Sequence, residues 1–131
     1  MTDDVQKPME QIIAEDGRYP IQAYGFLHEA MSRTVEQVHG EDAGGMGARH
    51  VTGQDICRNI RDMALERWGM LARTVLRRWN VHGTIDFGNM VYLLIQHNHM
   101  KKTDEDSIED FRNVYDLDDA LKYEFDLDLK N

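Results

Sequence analysis

The residues able to do chemistry in this chain are few and scattered. Cys57 is the only cysteine. It follows Ile56 near the expected start of a helix, where the positive end of the dipole can lower a thiol pKa. No histidine stands beside it in sequence to take its proton, and its apolar neighbours point to a core residue instead. A single cysteine also forms no internal disulfide. His97 and His99 are the most metal-like pair. Side chains two residues apart do not share a helix face. A metal site there needs the helix to end, and needs more ligands from His28, His82 or the acidic C-terminal residues. The chain has no Cys-x-x-Cys, no His-Glu-x-x-His and no calcium-loop pattern. No cofactor and no metal is expected.

Other short strings invite chemistry that their surroundings do not support. Asp86-Phe87-Gly88 spells a kinase triplet, but no glycine-rich loop, paired lysine or catalytic loop accompanies it. Phe87 reads as core, and Gly88 as a residue that allows close helix packing. Gly40, Gly44, Gly45 and Gly47 crowd one short stretch. Met46 and Gly47 follow Gly45 where a phosphate-binding loop needs a lysine and a hydroxyl residue. Residues 40–51 are therefore expected to be a flexible connector, with a lid or partner-binding loop as the functional alternative. A lone His28 beside Tyr24, Met31 and Val35 is expected to be a packed, hydrogen-bonded core residue. A catalytic site joining His28, His50 or His82 to carboxylates distant in sequence stays open, because spacing alone does not reveal it.

Charge is the least ordinary property of the chain. The net charge is −9 over 131 residues. Residues 1–48 carry a net −6, residues 49–78 a net +4 supplied only by arginines, residues 79–100 a net −1 and residues 101–131 a net −6. An acidic chain with a basic centre can satisfy its own charges. Otherwise the arginines form a face that recruits an anionic partner. Arg49, His50, Arg58, Arg61 and Arg73 are the candidate contact residues. Nucleic acid is the main rival partner, because residues 70–96 read as helix, short turn, helix. The second of those helices contains no Lys or Arg, begins with Asp86 and is too apolar to be exposed, and the net charge repels a duplex. Nucleic acid is thus an unlikely partner.

These residues hang on a chain with the signature of an all-α fold. Only two prolines occur, and the length suits one domain spanning 1–131. Val5, Met9, Ile12 and Ile13 predict a short helix over 4–16, with Pro8 in its first turn and Gly17 as its C-terminal cap. Residues 20–39 predict a second helix with a stripe of Ala23, Tyr24, Leu27, Met31, Thr34, Val35 and Val38. Thr52 and Asp55 form a capping box for a third, in which Ile56, Ile60, Met63 and Ala64 face inward. Gly69 breaks that helix, and Leu71, Ala72, Val75, Leu76 and Trp79 continue an apolar face. After a turn at Asn80–Gly83, Thr84 is expected to cap the helix carrying Phe87, Met90, Val91, Leu94 and Ile95. The acidic segment 103–131 is expected to dock on the bundle through two short helical pieces begun by Ser107 and Asp116. The expected architecture is a single-domain bundle of about five helices around a central hairpin, roughly 53–79 against 84–97. No apolar run reaches the ~20 residues of a membrane helix, so no membrane is expected. The acidic N-terminus lacks the apolar stretch of a secretory signal, which suggests the cytoplasm.

Several segments resemble those of a family of small bacterial proteins with no established activity. They are Gly17-Arg-Tyr-Pro20, Ala23-Tyr24-x-Phe26-Leu27, Arg49-His50-Val51-Thr52-Gly53-Gln54, Ala64-Leu65-Glu66-Arg67, Thr84-Ile85-Asp86-Phe87-Gly88 and Asp110-Phe111-Arg112-x-Val114-Tyr115-Asp116. The resemblance spans about residues 10 to 121. It implies one small cytoplasmic domain and carries over no catalytic residues. The function expected is a non-enzymatic protein-interaction or regulatory module, whose partner is another protein or a second copy of the chain as a homodimer. The alternatives are a helix-turn-helix-like protein associated with nucleic acid, or a domain binding a small molecule or metal with weak enzymatic potential.

Overall fold

A computed structural model describes residues 7–41, 51–101 and 107–122, and all their side chains except those of 39–41. Arg49, His50 and most of the 40–51 glycine loop lie outside the described residues, as do Tyr123 and Phe125.

The fold is all-α. Helix α1 (Met9–Asp16) begins directly after Pro8, whose fixed φ suits a helix entry. It ends where Gly17 adopts a left-handed φ of 75° and its N–H bonds to the carbonyl of Ile13. The extended Arg18-Tyr19-Pro20 link leads into α2 (Ile21–Glu41). Helix α3 (Gly53–Trp68) starts with the complete capping box: the Thr52 hydroxyl accepts from Asp55 N, and the Asp55 carboxylate accepts from Thr52 N. Gly69, with φ 51°, terminates it. A 3-10 turn (Gly69–Leu71) then redirects the chain into α4 (Ala72–Arg78). Helix α5 (Ile85–Gln96), a second 3-10 turn (Ile108–Phe111) and the single helical turn α6 (Leu117–Ala120) complete the described chain. Asn80, Asn98 and Asn113 each take a positive φ just beyond an element, a conformation that asparagine tolerates better than most residues.

One core joins these elements. Helix α2 runs antiparallel along α3. Asn59 of α3 donates to Thr34 and Gln37 of α2, Glu66 pairs with Arg33, and Arg67 pairs with Glu29. Phe26, Trp68 and Trp79 stack at the corner where α2, α3 and α4 meet, with centroids 5.1–5.6 Å apart. The chain does fold back from α4 into α5, but α5 takes the Ile108–Phe111 turn as its main neighbour. Phe111, 4 % exposed, is wedged there between two glycines. A Cβ built on Gly53 of α3 would sit 2.9 Å from its ring, and one built on Gly88 of α5 would sit 2.9 Å from its Cβ. Leu117 and Leu121 are buried in the same core. Thr84 donates to the carbonyl of Phe111 at 2.6 Å and accepts from Val114 N.

Three expectations need correction. Thr84 does not cap α5 with its side chain, because its hydroxyl is spent on the 107–122 segment. The Asp86 carboxylate instead accepts from the N–H groups of His82 and Gly83. Leu71 is not on the apolar face but 60 % exposed, because the break at Gly69 turns it outward together with Met70. His28 is exposed rather than packed into the core, because the buried stripe of α2 follows Tyr24, Leu27, Thr34 and Val38 and leaves His28 and Val35 on its edge.

Candidate functional site

The residues with chemical potential are mostly committed to holding the fold. Cys57 is fully buried, and burial pushes its thiol up to about 12. It is therefore a protonated core residue at neutral pH. Tyr115, its own pKa raised by burial, donates its phenol to the carbonyl of Cys57 at 2.6 Å and so ties the C-terminal segment to α3. Tyr19 donates to Asp86 at 2.5 Å and accepts from Asn89. Burial is the main reason its pKa rises to about 12. With His82 and Gly83 on the other carboxylate oxygen, Asp86 is a three-way anchor between the 18–20 link, the 80–83 turn and α5. The Nε2 of His99 bonds the backbone carbonyl of Lys7 at 2.7 Å. Among the described residues, no group of three or more His, Cys, Asp or Glu could hold a metal ion.

Three of the predicted arginines are among the described residues, and two of them share a cavity. Arg58 and Arg61, one turn apart on α3, line a small polar cavity of about 240 Å³ with Thr34, Gln37 and Asn59. Each also pairs with an acid of its own helix, Arg58 with Asp55 and Arg61 with Asp62. Arg73 does not line that cavity. It is 17 % exposed, pairs with Asp118 at 2.7 Å and donates to the carbonyl of Val81. Arg77 reaches the same Asp118 at 3.5 Å. The fully exposed Asp118 is held below the usual carboxylate range, first by the hydrogen bond from Arg73. For these two arginines the anion is the chain's own C-terminal segment. Arg49 and His50 lie outside the described residues.

One concavity was not among the predicted sites. An apolar groove of about 740 Å³ runs along α2. Ile21, Gly25, His28, Ser32 and Val35 form one side; Met9 and Ile13 of α1, with Leu94, His99 and Met100, form the other. Ile21 is 49 % and Val35 43 % exposed, and Met9 is 38 % exposed. Nothing lies within 4 Å of a Cβ built on Gly25, so the groove has a notch beside the helix backbone. Among the described residues, the lining contains no Asp, Glu, Lys or Arg. A signal for it did exist in the sequence. Ile21, His28 and Val35 recur at seven-residue intervals on the edge of the buried stripe, a spacing that gives a helix a second apolar seam. Helical amphipathicity alone assigns such residues to the core.

The α5 helix, which a helix-turn-helix would present to bases, buries Phe87, Gly88, Met90, Val91, Leu93 and Leu94. No helix among the described residues is long and apolar enough to cross a membrane. Comparison with protein-family models, with curated proteins and with solved structures finds no match.

Proposed function

We propose that this chain is a small non-enzymatic protein-interaction module, working in the cytoplasm, and that its docking surface is the groove along α2. The exposed, uncharged stripe of Ile21, His28 and Val35, facing Met9 and Met100 across about 740 Å³, carries this reading. A groove walled by helices and lined by aliphatic and methionine side chains suits an incoming apolar helix face, because flexible thioethers adapt to the side chains presented. The seam runs 14 residues, about 21 Å, long enough for four turns of a partner helix. The chemistry-bearing side chains support the same reading: Tyr19, Tyr115 and Asp86 spend their polar atoms within the fold, and the Cys57 thiol is buried.

The arginines are the competing surface, and one experiment separates the two. Tagged wild-type chain is used for affinity capture beside Gly25→Arg, which fills the notch, and beside Arg58→Ala/Arg61→Ala. Capture of a specific partner that Gly25→Arg abolishes and the arginine variant retains supports the groove. Capture that survives Gly25→Arg and disappears with the arginine pair refutes it.

A further inference from the structure

We infer that the groove's occupant is a second copy of this chain, laid antiparallel so that each α2 sits in the other's groove. This rests on the docking surface proposed above and names its partner. The exposed seam is symmetric about its midpoint. Ile21 lies seven residues before His28 and Val35 seven residues after it. With a two-fold axis at His28, Ile21 meets Val35 of the second copy, His28 meets its own mate, and Gly25 comes opposite Met31. The notch at Gly25, where a Cβ meets nothing within 4 Å, thus receives the flexible thioether of Met31, which lines the same groove. Large faces small and apolar faces apolar at both ends, as a self-complementary isologous contact requires.

Charge permits the pairing. The chain carries −9, so two copies repel one another at long range. The two charged residues of α2 within the seam's span are Glu29 and Arg33, and both pair with α3, with Arg67 and Glu66. In this register the seam brings no charge against a like charge. Area sets the strength. Half the circumference of a helix about 21 Å long and 10–12 Å across, counted on both surfaces and extended by the α1 walls, comes to on the order of 1,000 Å² in total. That is the lower edge of a stable interface, so the dimer is reversible and forms in the micromolar range or above.

The test is sedimentation of the full chain from micromolar to millimolar concentration, with thermal unfolding by circular dichroism as the fold control. The expected result is a concentration-dependent rise from 15.3 kDa towards twice that mass. Gly25→Arg is expected to keep the melting temperature near that of wild type and to weaken dimerisation at least about tenfold. Disulfide trapping reads the register. His28→Cys should crosslink to itself. Ile21→Cys and Val35→Cys should each fail alone and crosslink when mixed. A dimer trapped in another register, or a monomer at every concentration, overturns the inference. In the second case 8-anilinonaphthalene-1-sulfonate decides the underlying reading. Dye bound by wild type and lost in Gly25→Arg leaves the groove a docking surface for a different protein, whereas no dye binding removes both.

Discussion

The contact between Phe111 and the two helices it separates can be measured with a matched pair of substitutions. Gly25→Ala and Gly88→Ala make the same chemical change inside a helix, in α2 and in α5. Alanine is favoured over glycine in a helix interior by about 1 kcal/mol, partly because the unfolded chain loses freedom. That gain is common to both variants and cancels in their difference. What differs is the space. At Gly25 the new methyl meets nothing within 4 Å. At Gly88 it would lie 2.9 Å from Phe111 Cβ, 3.1 Å from its Cγ and 3.2 Å from Ile108 Cγ1. Neither Phe111 nor α5 can retreat cheaply, since the Thr84 hydroxyl holds the Phe111 carbonyl and Gly53 closes on the ring from behind. Overpacking of this kind costs about 1–3 kcal/mol. Gly25→Ala is therefore expected to stabilise by up to about 1 kcal/mol, and Gly88→Ala to be anywhere from neutral to about 2 kcal/mol destabilising. Urea unfolding followed by the fluorescence of Trp68 and Trp79 resolves this. With a slope of roughly 1–3 kcal/mol per molar urea, the two midpoints should differ by about 1 M. Equal stabilisation by both alanines would refute the wedge, and with it the view that residues 107–122 are a built-in part of the core.

Other consequences follow from the same geometry. Tyr24 is 4 % exposed, and its phenol oxygen has no hydrogen-bond partner among the described residues. Tyr24→Phe should raise stability by about 1 kcal/mol, measured by the same urea titration. Tyr19, Tyr24 and Cys57 all have folded pKa values of about 12, above their unfolded ones, because burial disfavours the charged form. Their contribution is fully present below the unfolded values of about 8.5 for the thiol and 10 for the phenols and is lost as pH rises towards 12. Unfolding should therefore become easier above roughly pH 9, with tyrosinate absorbance appearing in step with loss of helix. The Cys57 thiol should resist modification in the native chain and react only as α3 is exposed, so a native-state labelling rate as fast as that of the urea-unfolded chain would contradict its burial. Arg73→Ala removes both the Asp118 pair and the bond to Val81 O, and is expected to cost about 1 kcal/mol, more than Arg61→Ala, which removes only a pair with the neighbouring Asp62.

Where the sequence was legible, the reason was local. The capping box at Thr52 and Asp55, the left-handed stop at Gly17 and the break at Gly69 depend on residues within a few positions of one another, and the structure shows all three. The core stripe of α2 was readable for the same reason at Ala23, Tyr24 and Leu27, all buried. It misled at His28 and Val35. Helical period places a residue on a face, but which edge of the face is covered depends on what packs there. Thr84 misled in a similar way. Its position before a helix suits a cap, yet a partner 27 residues away, the Phe111 carbonyl, takes its hydroxyl.

The sequence by itself determined the fold class, the helix boundaries set by glycine, proline and capping residues, and the uneven placement of charge. Tertiary structure alone decided what those charges do and where a partner could dock. Arg73 and Arg77 converge on Asp118 from a distance of more than 40 residues, and Phe111 finds both Gly53 and Gly88, which lie on two different helices. The groove is made by α1, α2 and the end of α5 together, and no one of them contains it. Local rules follow from backbone geometry within a turn or two. Pairing across the chain follows from which surfaces exclude water together, and that is settled only when the elements pack.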